Sequence, residues 1–366
     1  MKLSGLLRIE NTMSAKIRFI VIVAITIMLL TLPFWGSRYA IFVVTLMGIY
    51  IALGQMWNLL AGYSGLVSLG LQIYIGVGAY TMAALSVRLG VPLLLGLILG
   101  GLVCVVIAIG LSYLLLKMRG MYFAIATWMF SQALMLVVIN IDLMVGKEIL
   151  GRGDGMFIIA ARVFTDTQKY YFSIILVLVV TVVMVLLLRS KLGLGLFAIR
   201  DNDVAAQTSG IALFKSKLVV MMISAFVTGI CGGVYYIMFI WVQPYAAFNI
   251  LTWTVPAVFI VVIGGIGTIT GPIVGGIIYV ILSQWLSTLT AIGSLNMVIL
   301  GVIAVAVIIL APKGIIGSAQ SRWGFEVISA RRWMKNYINR LPDPDSKLVD
   351  PYCRIVDPDS TEEEPK

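Results

Sequence analysis

Histidine occurs nowhere in this chain, and charged residues make up only 11% of it, against roughly a quarter in a soluble domain. A protein with so few charges cannot expose most of its surface to water. The only cysteines are Cys104, Cys231 and Cys353, and their wide spacing indicates neither a disulfide framework nor a zinc site. We therefore expect no bound metal and no cofactor.

Patterns for catalysis and nucleotide binding are also missing. The phosphate loop GxxxxGK[ST] does not occur, so we expect the chain not to bind ATP in that way by itself. No acidic residue lies well within an apolar run, although Asp142 stands at the edge of one, which disfavours a proton-coupled carrier. Without histidine or a buried aspartate pair, a membrane-bound enzyme is not indicated. A sodium-coupled carrier stays open, because backbone carbonyls could hold the ion.

Apolar runs dominate what is present, since 61% of the residues are hydrophobic. Runs of about 17 to 25 residues can each cross roughly 30 Å of hydrocarbon, so we predict an all-α polytopic membrane protein with about ten transmembrane helices. The first run has no small-residue cleavage site, so we expect it to be retained. The eighth and ninth could instead form one broken helix. The predicted crossings are 17–35, 39–60, 64–87, 91–116, 121–141, 171–189, 216–240, 252–266, 271–289 and 293–311.

The basic residues, which give a net charge of +10, lie in short segments between apolar runs. This distribution indicates membrane topology rather than nucleic acid binding, and the positive-inside rule places both termini in the cytoplasm. We predict a cytoplasmic segment at 1–16, a transmembrane domain at 17–312 and a basic amphipathic interfacial helix at 313–340. The acidic, proline-containing tail at 341–366 is expected to be disordered.

Two polar insertions interrupt the apolar runs. The insertion at about 142–170 is predicted to face outward and contains GRGDGM. The insertion at about 190–215 is predicted to face the cytoplasm. In it, Asp201 or Asn202 can cap a short helix that Gly210 can close. A solvated connector without a function is the alternative reading of this segment.

Glycine is concentrated at two places where one crossing ends and the next begins. These are NLLAGYSGLVSLG at 58–70 and GGIGTITGPIVGG at 264–276. Glycine costs about 1 kcal/mol relative to alanine in a helix, so we predict a break at each place. Non-helical backbone at membrane depth is tolerated where it is buried in protein or lines a watery cavity. Candidate residues for lining a solute pathway are Tyr63, Ser64, Ser68, Gln72, Gly265, Gly267 and Thr268. Helix packing is the competing explanation for each, and the favoured one for Gly76 and Gly78.

Five segments, in order, resemble the LivM-type permeases of branched-chain amino acid ABC transporters. NLLAGYSGLVSLG with IGVGAYTMA is similar to the hallmark segment of that family, and GRGDGM resembles its outward motif. FAIRDNDVAAQTSGI, VIGGIGTITGPIVGG and APKGIIG resemble its cytoplasmic loop, late glycine motif and closing segment. The resemblance covers about residues 39–317.

This resemblance implies a subunit of the ABC importer permease type in a bacterial inner membrane. Its partners would be a second, LivH-type permease of the same superfamily, two cytoplasmic ABC ATPases, an external solute-binding protein that is periplasmic or lipid-anchored, and membrane lipid. The substrate would be a branched-chain or related amino acid. The cytoplasmic loop would dock on an ATPase through Asp201, Asp203, Ala205, Ala206 and Gly210.

Two departures from the family pattern leave the substrate open. Leu71 stands where the family often has glutamine or histidine, and Arg152 separates two glycines of the outward motif. Relatives of this permease also carry urea and short amides, so the same architecture with such a solute is an alternative. An ion-coupled carrier or channel that works without ATPases, or a membrane scaffold, are further alternatives. The loop at 190–215 disfavours a channel, which has no evident need for it.

Overall fold

Long apolar helices make up most of the structure, as the runs in the sequence predict. The computed structural model describes residues 28–146, 149–151, 153–288, 296–310 and 314–323. Residues 28–35 are helical. The helices after them are α1 Arg38–Asn58, α2 Leu71–Leu89, α3 Leu93–Leu115, α4 Met121–Val145, α5 Asp166–Arg189, α6 Lys191–Asp201, α7 Asp203–Thr208, α8 Leu213–Phe239, α9 Pro244–Ala247, α10 Thr254–Gly264, α11 Gly271–Thr288, α12 Asn296–Leu310 and α13 Gly314–Trp323.

Six of the described helical segments are long and apolar enough to cross a membrane. They are Arg38–Tyr63, Leu93–Leu115, Met121–Val145, Asp166–Arg189, Leu213–Phe239 and Gly271–Thr288. The predicted helical class is therefore confirmed, whereas the count of ten crossings stays a prediction.

Helices α2 and α10 fall on predicted crossings but are not among the six, for different reasons. Helix α10 has 11 residues, which gives a length of about 16 Å, roughly half of the hydrocarbon thickness. Helix α2 carries polar residues such as Gln72, and 13 of its 19 residues are buried by the rest of the protein. A helix that contacts protein rather than lipid does not need a uniformly apolar surface.

Several predicted segments lie outside the described residues. These are 1–16, 341–366 and parts of the first and tenth predicted crossings. Of the amphipathic helix predicted at 313–340, residues 314–323 are described and form α13. All described residues belong to one compact unit.

Glycines allow α2 to pack directly on α3 and α8. A Cβ added to Gly78 would lie 2.4 Å from the carbonyl oxygen of Gly229, and one added to Gly100 would lie 2.7 Å from the carbonyl oxygen of Gly78. A Cβ added to Gly76 would lie 2.4 Å from the ring of Phe248. These contacts support the expected role of Gly78 in helix packing, whereas Gly76 makes room for the ring of Phe248.

Helix α1 packs against α5, α8, α10 and α11 and is buried along most of its second half. Polar contacts within the spans fix its position on α5. The Ser173 hydroxyl donates to the carbonyl oxygen of Thr45 at 2.7 Å, and Gln55 Nε2 donates to Thr181 Oγ1 at 2.9 Å. Gly48 makes room for Ser173, since an added Cβ would lie 2.1 Å from its Oγ.

One end of the helix bundle is covered by a short antiparallel pair of strands, β1 (Met156–Phe157) and β2 (Trp241–Val242), which lie far apart in the chain. We call it the strand-pair end. Asp142, which is buried at the end of α4, accepts hydrogen bonds from the backbone N–H groups of Ile149 and Leu150, both at 2.8 Å. These bonds anchor the insertion that contains GRGDGM. Arg152 of that motif lies outside the described residues.

Replacing Gly78 with alanine tests the packing of α2. The added methyl group would overlap the backbone of α8, so we expect a loss of about 1–3 kcal/mol in stability, seen as a lower thermal denaturation midpoint of the protein in detergent. Gly110→Ala on α3 is the matched control, because no described atom outside its own helix lies within 4 Å of its added Cβ. Equal midpoints for the two variants would contradict this account.

Candidate functional site

The two predicted glycine breaks are present, and they contact each other. The first span ends in a π-helical turn, Leu59–Tyr63, and residues 65–70 are non-helical before α2 begins. Residues 265–270 are non-helical between α10 and α11. Both breaks lie at the end of the bundle opposite the strand-pair end, beside α6 and α7.

The side chain of Asn58 joins the two breaks. Its Nδ2 donates to the carbonyl oxygen of Thr268 at 2.8 Å, and its Oδ1 accepts from the N–H of Gly267 at 2.8 Å. Asn58 is fully buried, so this amide supplies the donor and the acceptor that two backbone groups of the second break need. A buried polar group without a partner would cost free energy instead.

Glycine is required on both sides of this contact. A Cβ on Gly62 would lie 2.1 Å from Asn58 Oδ1 and 2.8 Å from the nitrogen of Gly267. Gly267 has φ +76°, a left-handed conformation that residues with a side chain rarely adopt. The first break can therefore approach the second only where both residues lack a Cβ.

Helix α6 contacts the same place from outside the membrane spans. Arg200 Nη1 donates to the carbonyl oxygen of Gly62 at 2.8 Å and would lie 2.8 Å from a Cβ on Gly267. One turn earlier, the ring of Phe197 packs edge-on against Tyr63 with centroids 5.6 Å apart. We call Asn58, Gly62, Arg200 and Gly267 the break cluster.

The start of helix α13 packs against the second break. Gly314, with φ +72°, is buried against Gly265, and an added Cβ would lie 2.5 Å from the Cα of that residue. Segments with family resemblance that are far apart in the chain thus converge at one end of the bundle.

The short helix α7 follows α6 after a single residue, as the capping pattern predicts. The side chain of Asn202 accepts hydrogen bonds from the backbone N–H groups of Val204 and Ala205, at 2.9 and 3.1 Å. Gly210 ends the segment with φ +81°. Asp203 forms a salt bridge at 2.9 Å with Lys217, which ties α7 to the first turn of α8.

The predicted docking residues differ in exposure. Asp201, Ala205 and Gly210 are exposed, and Asp203 is half-buried by its salt bridge. Ala206 is buried inside the chain, at 3% exposure, so it cannot contribute a surface to a partner without a rearrangement. The docking role of the set stays a prediction.

The predicted pathway residues have partners within the chain. Ser64 donates to the Leu60 carbonyl oxygen at 2.7 Å, Gln72 Nε2 donates to the Leu69 carbonyl oxygen at 2.9 Å, and the Gln72 amide oxygen accepts a bond from Thr254. The remaining candidates, Tyr63, Ser68, Gly265, Gly267 and Thr268, lie in or next to the two breaks. These contacts favour the packing explanation for Ser64 and Gln72, while a pathway role stays a prediction for all seven.

A cavity of about 130 Å³ lies nearer the strand-pair end, between α1, α8 and α11. We call it the aromatic cavity. Its lining includes Tyr50, Tyr235, Phe239, Tyr279, Ser283 and Gln284, and none of the described residues that line it is charged. Sequence reasoning missed it, because tyrosines on three separate runs show no common pattern until the helices pack. Among the described residues, no group of three histidine, cysteine or acidic side chains could hold a metal ion.

Comparison with known proteins identifies the family of this chain. The family model for the permease component of the branched-chain amino acid transport system matches residues 39–308. The chain belongs to this family. Its resemblance to LivM-type permeases is confirmed, and it is a multi-pass membrane protein.

Two relatives of this permease carry the name high-affinity branched-chain amino acid transport system permease protein LivM. The permease is 28% identical to the protein of Escherichia coli K12 and 26% identical to that of Salmonella typhimurium. Each match covers 326 residues, which is 81% of this chain and 74% of the relative. The relatives are transporter components and not enzymes, and no solved structure matches the permease.

Asn58→Ala tests whether the amide holds the two breaks of the permease together. The variant leaves a backbone N–H and a backbone C=O without partners, at about 1–3 kcal/mol each, so its thermal midpoint in detergent should fall clearly. Asn140→Ala is the control, because the bond of that half-buried side chain in the described structure goes to the Leu136 carbonyl oxygen of its own helix. If Asn58→Ala melts like Asn140→Ala, the amide does not support the breaks.

Proposed function

We propose that this permease is the membrane subunit of an ATP-binding-cassette importer. It carries branched-chain or related amino acids across the inner membrane of a bacterium, together with a LivH-type permease, two cytoplasmic ATPases and an external solute-binding protein. Membership of the branched-chain amino acid permease family supports the transport role. Both termini lie in the cytoplasm in this proposal, and ten crossings of the membrane connect them.

The segment formed by α6 and α7 carries the proposal of ATP-driven transport. It lies beside the spans, and its exposed residues include small and apolar ones among the polar ones. Val204 is 61% exposed, and Ala205 and Gly210 are exposed next to it. We call these three residues the docking face. Such a face suits close insertion into a groove of an ATPase, and a passive channel has no need for it.

A cavity of about 240 Å³ adjoins this segment and supports it as an interaction surface. Its lining combines Gly65 of the first break with Arg119, Asp203, Phe214 and Lys217. Apolar and charged side chains are mixed there, as they are at the rims of protein interfaces. ATP binding in the partners draws the docking segments of two permeases together and changes the side on which the pathway opens.

The aromatic cavity supports an amino acid with an aliphatic side chain as the solute. Its aromatic faces and hydroxyl groups can contact such a side chain, and no charged residue has to be neutralised there. The cavity also has room for several waters, each of which takes about 30 Å³ in the liquid. Urea or a short amide is the second candidate, because either could bind to the same hydroxyl groups.

Val204→Arg tests the docking face. A charged side chain at this position prevents close insertion, so the two ATPases should no longer copurify with the permease in mild detergent, and ATP-driven leucine uptake by proteoliposomes should be lost. Val163→Arg is the matched control, since that valine is 81% exposed at the strand-pair end. Copurification of the ATPases with Val204→Arg at the wild-type level would refute the assignment.

Ser283→Trp tests the aromatic cavity. The indole fills the space between α1 and α11, so we expect leucine uptake by the reconstituted complex to fall about tenfold or more. Ser287→Trp, one turn further along α11 and exposed, should transport at the wild-type rate. Competition of leucine uptake by valine and by urea identifies the solute class. Equal uptake by the two tryptophan variants would remove the cavity from the pathway.

A further inference from the structure

We propose that Arg200 is a positioning residue that transmits movement of the docking segment to both glycine breaks at once. The inference rests on the proposed function, because the movement comes from an ATPase bound to α7. It adds a mechanical role for the break cluster, at the point where the docking segment meets the membrane spans.

The position of Arg200 links the two parts directly. It is the second-last residue of α6, and Asn202, two residues later, caps α7. A displacement of α7 therefore moves the backbone of Arg200, with only Asp201 in between. At the other end of its side chain, Nη1 donates to the Gly62 carbonyl oxygen at 2.8 Å.

The carbonyl oxygen of Gly62 is a suitable attachment point. It belongs to the π-helical turn that ends the first span, where carbonyl groups run out of helical partners and the helix dipole is negative. A guanidinium group therefore binds there with a charge-assisted hydrogen bond. Among the described residues, no carboxylate forms a salt bridge with Arg200 that would compete for this group.

The second break follows the first because Asn58 connects them. The amide is fully buried and holds Gly267 and Thr268 through two bonds of 2.8 Å. In contrast, Arg200 is exposed, so water can replace its contact at little cost. The buried amide keeps the breaks together, and the exposed guanidinium makes and releases the contact with α6 as the ATPase moves.

A purely structural role would predict something different. If Arg200 only stabilised the fold, its removal would lower the thermal midpoint and reduce uptake and ATP hydrolysis together. If it transmits movement, the ATPases stay bound and hydrolyse ATP, while solute moved per ATP falls. The ratio of leucine uptake to ATP hydrolysis therefore separates the two roles.

The experiment uses the full complex with its ATPases and binding protein in proteoliposomes. Arg200→Ala should leave ATPase copurification and the thermal midpoint unchanged and lower leucine uptake per ATP about tenfold. Arg200→Lys should recover much of the ratio, because an ammonium group can still donate to one carbonyl oxygen. Lys191→Ala, at an exposed position in the first turn of α6, should behave as the wild type.

Each outcome decides between the possibilities. A wild-type ratio in Arg200→Ala overturns the inference, and so does a variant complex that loses its ATPases, since the inference assigns docking to α7 and not to Arg200. A ratio that is lowered equally in the alanine and lysine variants also counts against it. If the wild-type complex shows no ATP-driven leucine uptake, the proposed function itself fails.

Discussion

The structure depends on satisfying backbone polar groups at the places where two membrane spans are interrupted. Each break leaves N–H and C=O groups without helical partners, and those that are buried need a partner within the protein. Asn58 provides these partners at the second break, because its amide donates one hydrogen bond and accepts another. Since Gly62 and Gly267 admit this contact only without a Cβ, the glycines at these positions follow from the same requirement.

This contact organises the end of the bundle around the two breaks. The first break, the second break, α6 and the start of α13 all meet within hydrogen-bond or van der Waals distance, through Asn58, Arg200 and Gly314. The strand-pair end is built differently. There, Asp142 and the β1–β2 pair hold the insertion that contains GRGDGM. The two breaks, α6 and the start of α13 thus form one connected set of residues at one end of the bundle.

The sequence predicted much of the fold but little of the break cluster. Apolar runs and glycine content determine where helices form and fail, so both breaks and the capped start of α7 could be predicted. Asn58 could not be identified, since it reads as an ordinary helix end and its partner Thr268 lies 210 residues away in the chain. The partner of Gln72 could not be predicted either, because Thr254 lies far along the chain from it. The buried position of Ala206 could not be predicted either, because a helix of six residues is too short for its sequence to reveal the buried side.

The distribution of charge explains why the cation of the break cluster comes from α6. An arginine within a span would have to lose its hydration, at about 2.5–3.5 kcal/mol or more at the membrane centre. Arg200 avoids this cost, since its backbone lies outside the spans and its side chain remains exposed while it reaches the Gly62 carbonyl oxygen. The spans can then stay almost free of charge. A cation reaches the breaks only as long as α6 stays in place, so this contact depends on the position of α6 relative to the spans.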